Sequence, residues 1–225
     1  MKVAIFTVGI LVGLILYMLV MGILNIKPEL FAWKYTSDNA SVVPALINTL
    51  IMVAVTLLMA VPVGICSAIY LVEYANKTSK FVKIIRVTTE TLSGIPSIVY
   101  GLFGYLCFSV FLKLGYSLLS GALTLSIMVL PAIMRTTEEA LLSVPDTYRE
   151  GSFGLGAGKL RTIFKVVLPS AIPGILAGII LAIGRIVGES AALLFTAGSA
   201  KLLPKGFLGI FDKIFQSGGT LTIQL

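Results

Sequence analysis

Apolar and polar residues fall in long blocks along this chain, not at the period of an ordinary surface helix or strand. Residues 3–24 carry no charge and run 22 long, enough to cross about 30 Å of hydrocarbon. Lys2 precedes them and no small-residue cleavage site follows, which predicts an uncleaved first transmembrane helix. Residues 25–41 read as a polar loop holding Lys27, Glu29, Lys34 and Asp38, with Trp33 and Tyr35 as interface anchors. Residues 42–72 predict a second span, kinked near Pro62-x-Gly64. A basic loop over 73–90 follows. Residues 91–112 and 116–134 predict a third and a fourth span, joined by a tight turn at Lys113-Leu114-Gly115. Pro96 suits a first helical turn, where its missing N–H is harmless. A polar segment over 135–170 leads to a fifth span, 171–194. It carries Gly174-x-x-x-Gly178 and Gly184-x-x-x-Gly188, as Gly9-x-x-x-Gly13 marks the first. Residues 195–225 read as a mixed tail with a short amphipathic piece at 207–215.

Composition agrees with an all-α polytopic membrane protein. The 225 residues are 57% hydrophobic and 12% charged, with a mean hydropathy of +1.03, whereas soluble domains carry about 25% charged residues. There is no histidine, which excludes imidazole metal sites and Ser-His or Cys-His catalytic pairs. Cys66 and Cys107 lie in apolar runs, where a thiol is core filler. No G-x-x-x-x-G-K-[ST] loop and no paired catalytic carboxylates within the spans occur, so a non-catalytic chain is expected.

Net charge is +7, and its distribution sets an orientation. With the N-terminus cytoplasmic, ten of the 17 basic residues fall inside, six outside, and Arg185 within a span. Residues 1–41 are then a first helix with an extracytoplasmic loop. Residues 42–225 form a core domain whose polar segment, at about 145–170, is cytoplasmic.

That segment has the features of a docking element. Thr147-x-x-Glu150 fits a capping box, with Pro145 and Asp146 ahead as start signals. Asp146 and Glu150 suit the positive end of a helix. Tyr148, Phe153 and Leu155 supply apolar anchors for a partner. Gly154, Gly156 and Gly158 suit a tight turn, and Lys159, Arg161 and Lys165 form a basic patch. On composition alone the same residues make an amphipathic connector whose charges sit in water.

The spacing decides between the two. Glu150-Gly151-Ser152, three residues, Gly156, nine residues, then Val166-Val167-Leu168-Pro169 resembles the EAA signature of ABC importer permeases, E-A-A, three residues, G, nine residues, I-x-L-P. Gly151 and Ser152 replace the two alanines and Val166 the isoleucine. The resemblance implies that Tyr148, Glu150, Gly156, Leu168 and Pro169 couple to an ATP-hydrolysing subunit, and that the fold is the type I ABC importer permease fold.

Other stretches resemble the PstA-type permeases of phosphate importers. They are Asn48-Thr49-Leu50, Pro62-Val63-Gly64 with Ala68-Ile69-Tyr70-Leu71, Glu90-Thr91-Leu92-Ser93-Gly94-Ile95-Pro96-Ser97-Ile98-Val99-Tyr100-Gly101 and Gly184-Arg185-Ile186-Val187-Gly188-Glu189-Ser190-Ala191-Ala192-Leu193. The likeness runs from about residue 44 onward. It implies a PstC-type partner permease, a PstB-type ATPase dimer and an extracytoplasmic PstS-type phosphate-binding protein. ATP is then bound by the partner, and this chain binds no cofactor. That family has a sixth span after the loop resembling Gly218-Gly219-Thr220-Leu221, and this sequence stops within the loop.

Arg185 and Glu189 are the ionisable residues inside the predicted spans, and burying either costs several kcal/mol. A spacing of four puts them on one helix face within pairing distance. Either they form an ion pair that fixes helix packing, or Arg185 lines an oxyanion path with Glu189 keeping it from trapping the anion. Ser190 and Thr196 are hydroxyl candidates for the same path. The expectation is a permease subunit for phosphate. The alternatives are a permease for another oxyanion, such as sulfate or molybdate, and a secondary transporter.

Overall fold

The structure is a computed structural model and describes residues 2–24, 28–32, 41–76, 79–199 and 209–224. The chain divides into two compact units, Met1–Pro44 and Ala45–Leu225. In the first, helix α1 (Lys2–Leu24) is apolar on every side, as a lipid-facing span requires, and Gly9 and Gly13 meet no neighbour within 4 Å. A short 3₁₀ turn, Pro28–Phe31, follows, and the Val42 N–H donates to the Leu30 carbonyl at 2.9 Å. The anchors Trp33 and Tyr35, and the charges Lys27, Lys34, Asp38, Lys77, Lys201 and Lys205, lie outside the described residues.

The second unit is built around one central helix. Helix α2 (Val43–Ile69) passes Pro62 without interruption and widens into a π-turn, Tyr70–Tyr74. The stretch read as a basic loop is instead helix α3 (Lys80–Ser93). The Ser79 side chain accepts from the Phe81 N–H at 3.3 Å, and Val82 is buried while Ile84 and Val87 are exposed. The third span therefore starts later than expected. Helix α4 (Ser97–Gly104) opens immediately after Pro96 and continues as a π-helix, Tyr105–Phe111. It is bent by 102° from α3, and the Tyr100 hydroxyl donates to the Leu92 carbonyl at 2.7 Å across the break.

The expected turn at 113–115 is present, with Lys113 and Gly115 at φ 56° and 61°. Helix α5 (Leu118–Leu142) runs well past the expected end at Met134. Its polar last two turns remain helical because Ile133, Ala140 and Leu141 are buried and Arg135 pairs with Glu139 at 3.2 Å. Most of the polar segment after it is helical too: α6 (Asp146–Gly154) and α7 (Lys159–Thr162), then a π-turn, Ile163–Val167, that merges into α8 (Leu168–Gly188). The predicted fifth span breaks at 189–190, and α9 (Ala191–Thr196) follows. In the tail lie α10 (Gly209–Ile214) and α11 (Leu221–Gln224). Among the described residues, four helices are long and apolar enough to cross a membrane, or five if α3 and α4 count as one bent span.

Two apolar cores share α5. Met52, Leu125, Met128, Ile133, Ala182 and Leu193 belong to one, and Ile69, Leu141, Val144, Ile163, Val167 and Ile175 to the other. Gly174 and Gly178 of α8 lie so close to α5 that a Cβ would sit 2.7 Å from Ala140 Cβ and 2.2 Å from Thr136 Oγ1. Gly184 and Gly188 pack against nothing within 4 Å, so only the first of the two small-residue pairs is a packing face.

Candidate coupling segment and translocation site

Pro145 holds an extended backbone, φ −57° and ψ 138°, and Asp146 is the first helical residue of α6. The chain thus enters the helix before Thr147, and the expected capping box does not form: no side chain caps this end. Asp146 in the first turn still suits the positive helix end. No residue of α6 is buried, and Tyr148, Phe153 and Leu155 are 53%, 47% and 91% exposed. Three large apolar groups on one short polar helix and the residue that ends it are the surface a partner would cover. Glu150 is exposed beside them.

Gly156 reverses the chain at φ +79°, a conformation that strains any L side chain, although open space surrounds the site. The Ser152 and Thr162 hydroxyls then meet at 2.8 Å and fasten α6 to α7. Leu168 and Pro169 begin α8, with Leu168 packed on the second core and Pro169 exposed. The structure therefore brings Tyr148, Glu150 and Gly156 onto one exposed element and sets Leu168 and Pro169 at the root of the following helix.

Arg149 was legible only as one more basic charge. Its guanidinium is 14% exposed and donates from Nη2 to Glu73 Oε1 at 2.9 Å and from Nε to the same oxygen at 3.1 Å. It also donates to the Val144 carbonyl at 2.8 Å, the Leu141 carbonyl at 3.0 Å and Asp146 Oδ1 at 3.1 Å. The five contacts spend its donors on the end of α5, the start of α6 and the π-turn after α2. Composition does not show that an arginine's donors are taken up in this way, and Glu73 lies 76 residues away in sequence.

The Arg185–Glu189 ion pair, one of the two alternatives for these residues, is not formed. Gly188 ends α8, and Glu189 leaves the helix with extended backbone, φ −80° and ψ 124°, so the two no longer share a helix face. The Glu189 carboxylate turns instead to α9 and accepts from the Ala192 N–H at 3.1 Å. Arg185 stays in the last turn of α8, where a cation suits the negative helix end. It is half-buried, lies within electrostatic reach of the Tyr100 hydroxyl, and has no ion pair or hydrogen bond among the described residues. Ser190 is exposed at the break, whereas the Thr196 hydroxyl is buried and donates to the Ala192 carbonyl at 2.9 Å, which removes it as a path donor.

The tail completes this end. The Thr222 hydroxyl donates to the Glu189 carbonyl at 2.8 Å, Asn48 Nδ2 to the Gly219 carbonyl at 3.0 Å, and the Leu221 N–H to Thr49 Oγ1 at 3.0 Å. Asn48-Thr49, quoted for their resemblance, thus anchor residues 219–221 beside the break after α8.

The chain is similar to known proteins. The chain is 40% identical to a probable ABC transporter permease, YqgI, of Bacillus subtilis over 84% of its own length and 65% of that protein. It is also 40% identical to the phosphate transport system permease protein PstA 1 of Mycobacterium tuberculosis, over 77% of its length and 54% of that protein. The chain thus spans between about half and two thirds of these relatives. In three dimensions it resembles the inward-facing MetNI methionine ABC transporter, with a TM-score of 0.57 over 80% of this chain and 82% of that one at 21% identity. The fold is that of an ABC importer permease. Residues 60–217, which include α6, the break after α8 and most of the tail, match the description of the binding-protein-dependent transport system inner membrane components, and the chain belongs to that family.

Proposed function

We propose that this chain is a pore and coupling subunit of an ATP-driven importer of inorganic phosphate. The observation that carries the reading is Arg185: half-buried in a membrane helix, at the broken end of α8, and without an ion pair or hydrogen bond among the described residues. A planar guanidinium left unpaired in such a place is set up to bind two oxygens of an oxyanion. The likeness to phosphate transport permeases supports phosphate among the oxyanions. Glu189, held on the Ala192 N–H, keeps a negative charge near Arg185 without neutralising it by contact. Phosphate can therefore be bound and released, as transport requires. Ser190 lies at the same break and adds a hydroxyl.

In this reading the N-terminus is cytoplasmic, and α6 faces a PstB-type ATPase that takes Tyr148, Phe153 and Leu155 into a groove. A PstC-type permease completes the path, and a PstS-type protein delivers phosphate from outside. The test is phosphate uptake in cells that lack their own PstA-type subunit and keep the other components. The chain restores uptake, and Arg185→Ala lowers it by at least about tenfold, a barrier change near 1.4 kcal/mol. Uptake of sulfate or molybdate in place of phosphate would move the assignment to another oxyanion. Uptake unaffected by Gly156→Trp would remove the ATPase-docking role of α6.

A further inference from the structure

The π-turn at the end of α2 is gripped from both ends of the docking segment. Glu73 receives Arg149 of α6 at 2.9 Å, with the two side chains 9% and 14% exposed. The next residue, Tyr74, receives Lys159 of α7, whose Nζ stands 4.8 Å from the ring centroid. Because the Ser152–Thr162 bond ties α6 to α7, the two grips belong to one body. The docking segment is joined covalently to α5 and α8 only. Nothing in the chain's connectivity would carry a movement of α6 into α2, which precedes it by more than 70 residues.

We infer that Arg149 and Glu73 are positioning residues that couple the displacement of α6 to the second span. This rests on reading α6 as the element docked by the ATPase. The forked guanidinium suits the role. Three of its five contacts hold it to the end of α5 and the start of α6, and two hold Glu73, so a rigid shift of α6 pulls the π-turn with it. A π-turn is a frequent site of helix adjustment, and this one sits where α2 receives the pull. Lys159 on Tyr74 is exposed and serves as a secondary guide.

The experiment uses the assembled permease–ATPase complex in lipid nanodiscs. A spin label is placed at Leu58→Cys, an exposed position of α2, with Cys66→Ser and Cys107→Ala as background. The label's response to ATP is compared in the parent, Glu73→Gln and Glu73→Asp. The expected result is a response reduced at least about fivefold in Glu73→Gln and recovered in part by Glu73→Asp, while ATP hydrolysis and copurification of the ATPase stay within about twofold. An unchanged response in Glu73→Gln overturns the inference. Loss of the ATPase from the purified Glu73→Gln complex overturns it as well, because the pair would then shape the docking surface and not transmit its movement. The readout needs nucleotide and no oxyanion, so an error about phosphate leaves it intact, whereas a parent complex with no ATP response sinks the docking reading itself.

Discussion

A Cβ added to Gly101 would stand 2.8 Å from the Ala192 Cα and 3.2 Å from the Ala192 carbonyl oxygen. Helices α4 and α9 meet there backbone to backbone, and Ala192 is the residue whose N–H the Glu189 carboxylate holds. Backbone cannot yield as a side-chain tip does. Gly101→Ala should lower stability by about 1–3 kcal/mol, the usual range for overpacking. Gly151→Ala, in an exposed helical position with nothing within 4 Å, should raise it by up to about 1 kcal/mol. Thermal unfolding of the two variants in detergent, compared with the parent, gives opposite signs if the helices meet as described.

Glu189 offers a second separation. Its carboxylate caps α9, so Glu189→Ala should cost about 1 kcal/mol, while Glu189→Gln keeps a side-chain oxygen for the Ala192 N–H and should cost less than half of that. Both remove the negative charge near Arg185. If that charge keeps the oxyanion from being trapped, both variants lower maximal uptake by a similar factor despite their different stability. Uptake that follows the melting temperature instead would reduce Glu189 to a helix cap.

The turn at Gly156 is demanded by backbone and not by space. Asparagine tolerates the left-handed region better than other residues, and β-branched residues tolerate it least. Gly156→Asn should therefore leave most of the ATPase copurifying with the permease, and Gly156→Val should lose most of it. Equal retention by both would mean that the turn does not set the docking surface.

How much of this was legible in the sequence follows from what each signal rests on. The long uncharged runs placed α1, α2 and the body of α8 because crossing a membrane leaves few other patterns. The exposed anchors of α6 and the reversal at Gly156 were legible because glycine spacing and large apolar residues in a polar stretch have local causes. Charged stretches misled the reading. Residues 80–93 keep only Val82 buried with a half-buried stripe at Ile85, Thr89 and Leu92, residues 135–142 bury Thr137, Ala140 and Leu141, and a charged sequence conceals such positions when their partners are distant. The break after Gly188 was also hidden, since no proline marks it. It is held by Glu189 on Ala192 and by Thr222 on Glu189, contacts of which the second spans 33 residues. Arg149 on Glu73 was hidden for the same reason.

Lys213 gives a prediction in pH. It lies in α10, outside the spans, is 1% exposed, and donates from Nζ to the Ser217 carbonyl at 2.7 Å. Burial holds its ammonium below the ordinary lysine value of 10.5. On unfolding the ordinary value returns, so the unfolded chain binds this proton more tightly and stability rises with pH between the folded and unfolded values. Below that interval both states are charged and the whole cost of burying the ammonium is present. Above 10.5 both are neutral and the cost is gone. Lys213→Met removes the charge at every pH and leaves the Ser217 carbonyl without this donor. Its melting temperature relative to the parent should therefore be most favourable near about pH 7 and fall steadily towards about pH 10, where the parent loses its burden. Other groups titrate in both proteins and cancel in the difference. A difference that stays flat over that range would mean that Lys213 is charged in both states throughout, and that the tail admits water to its ammonium.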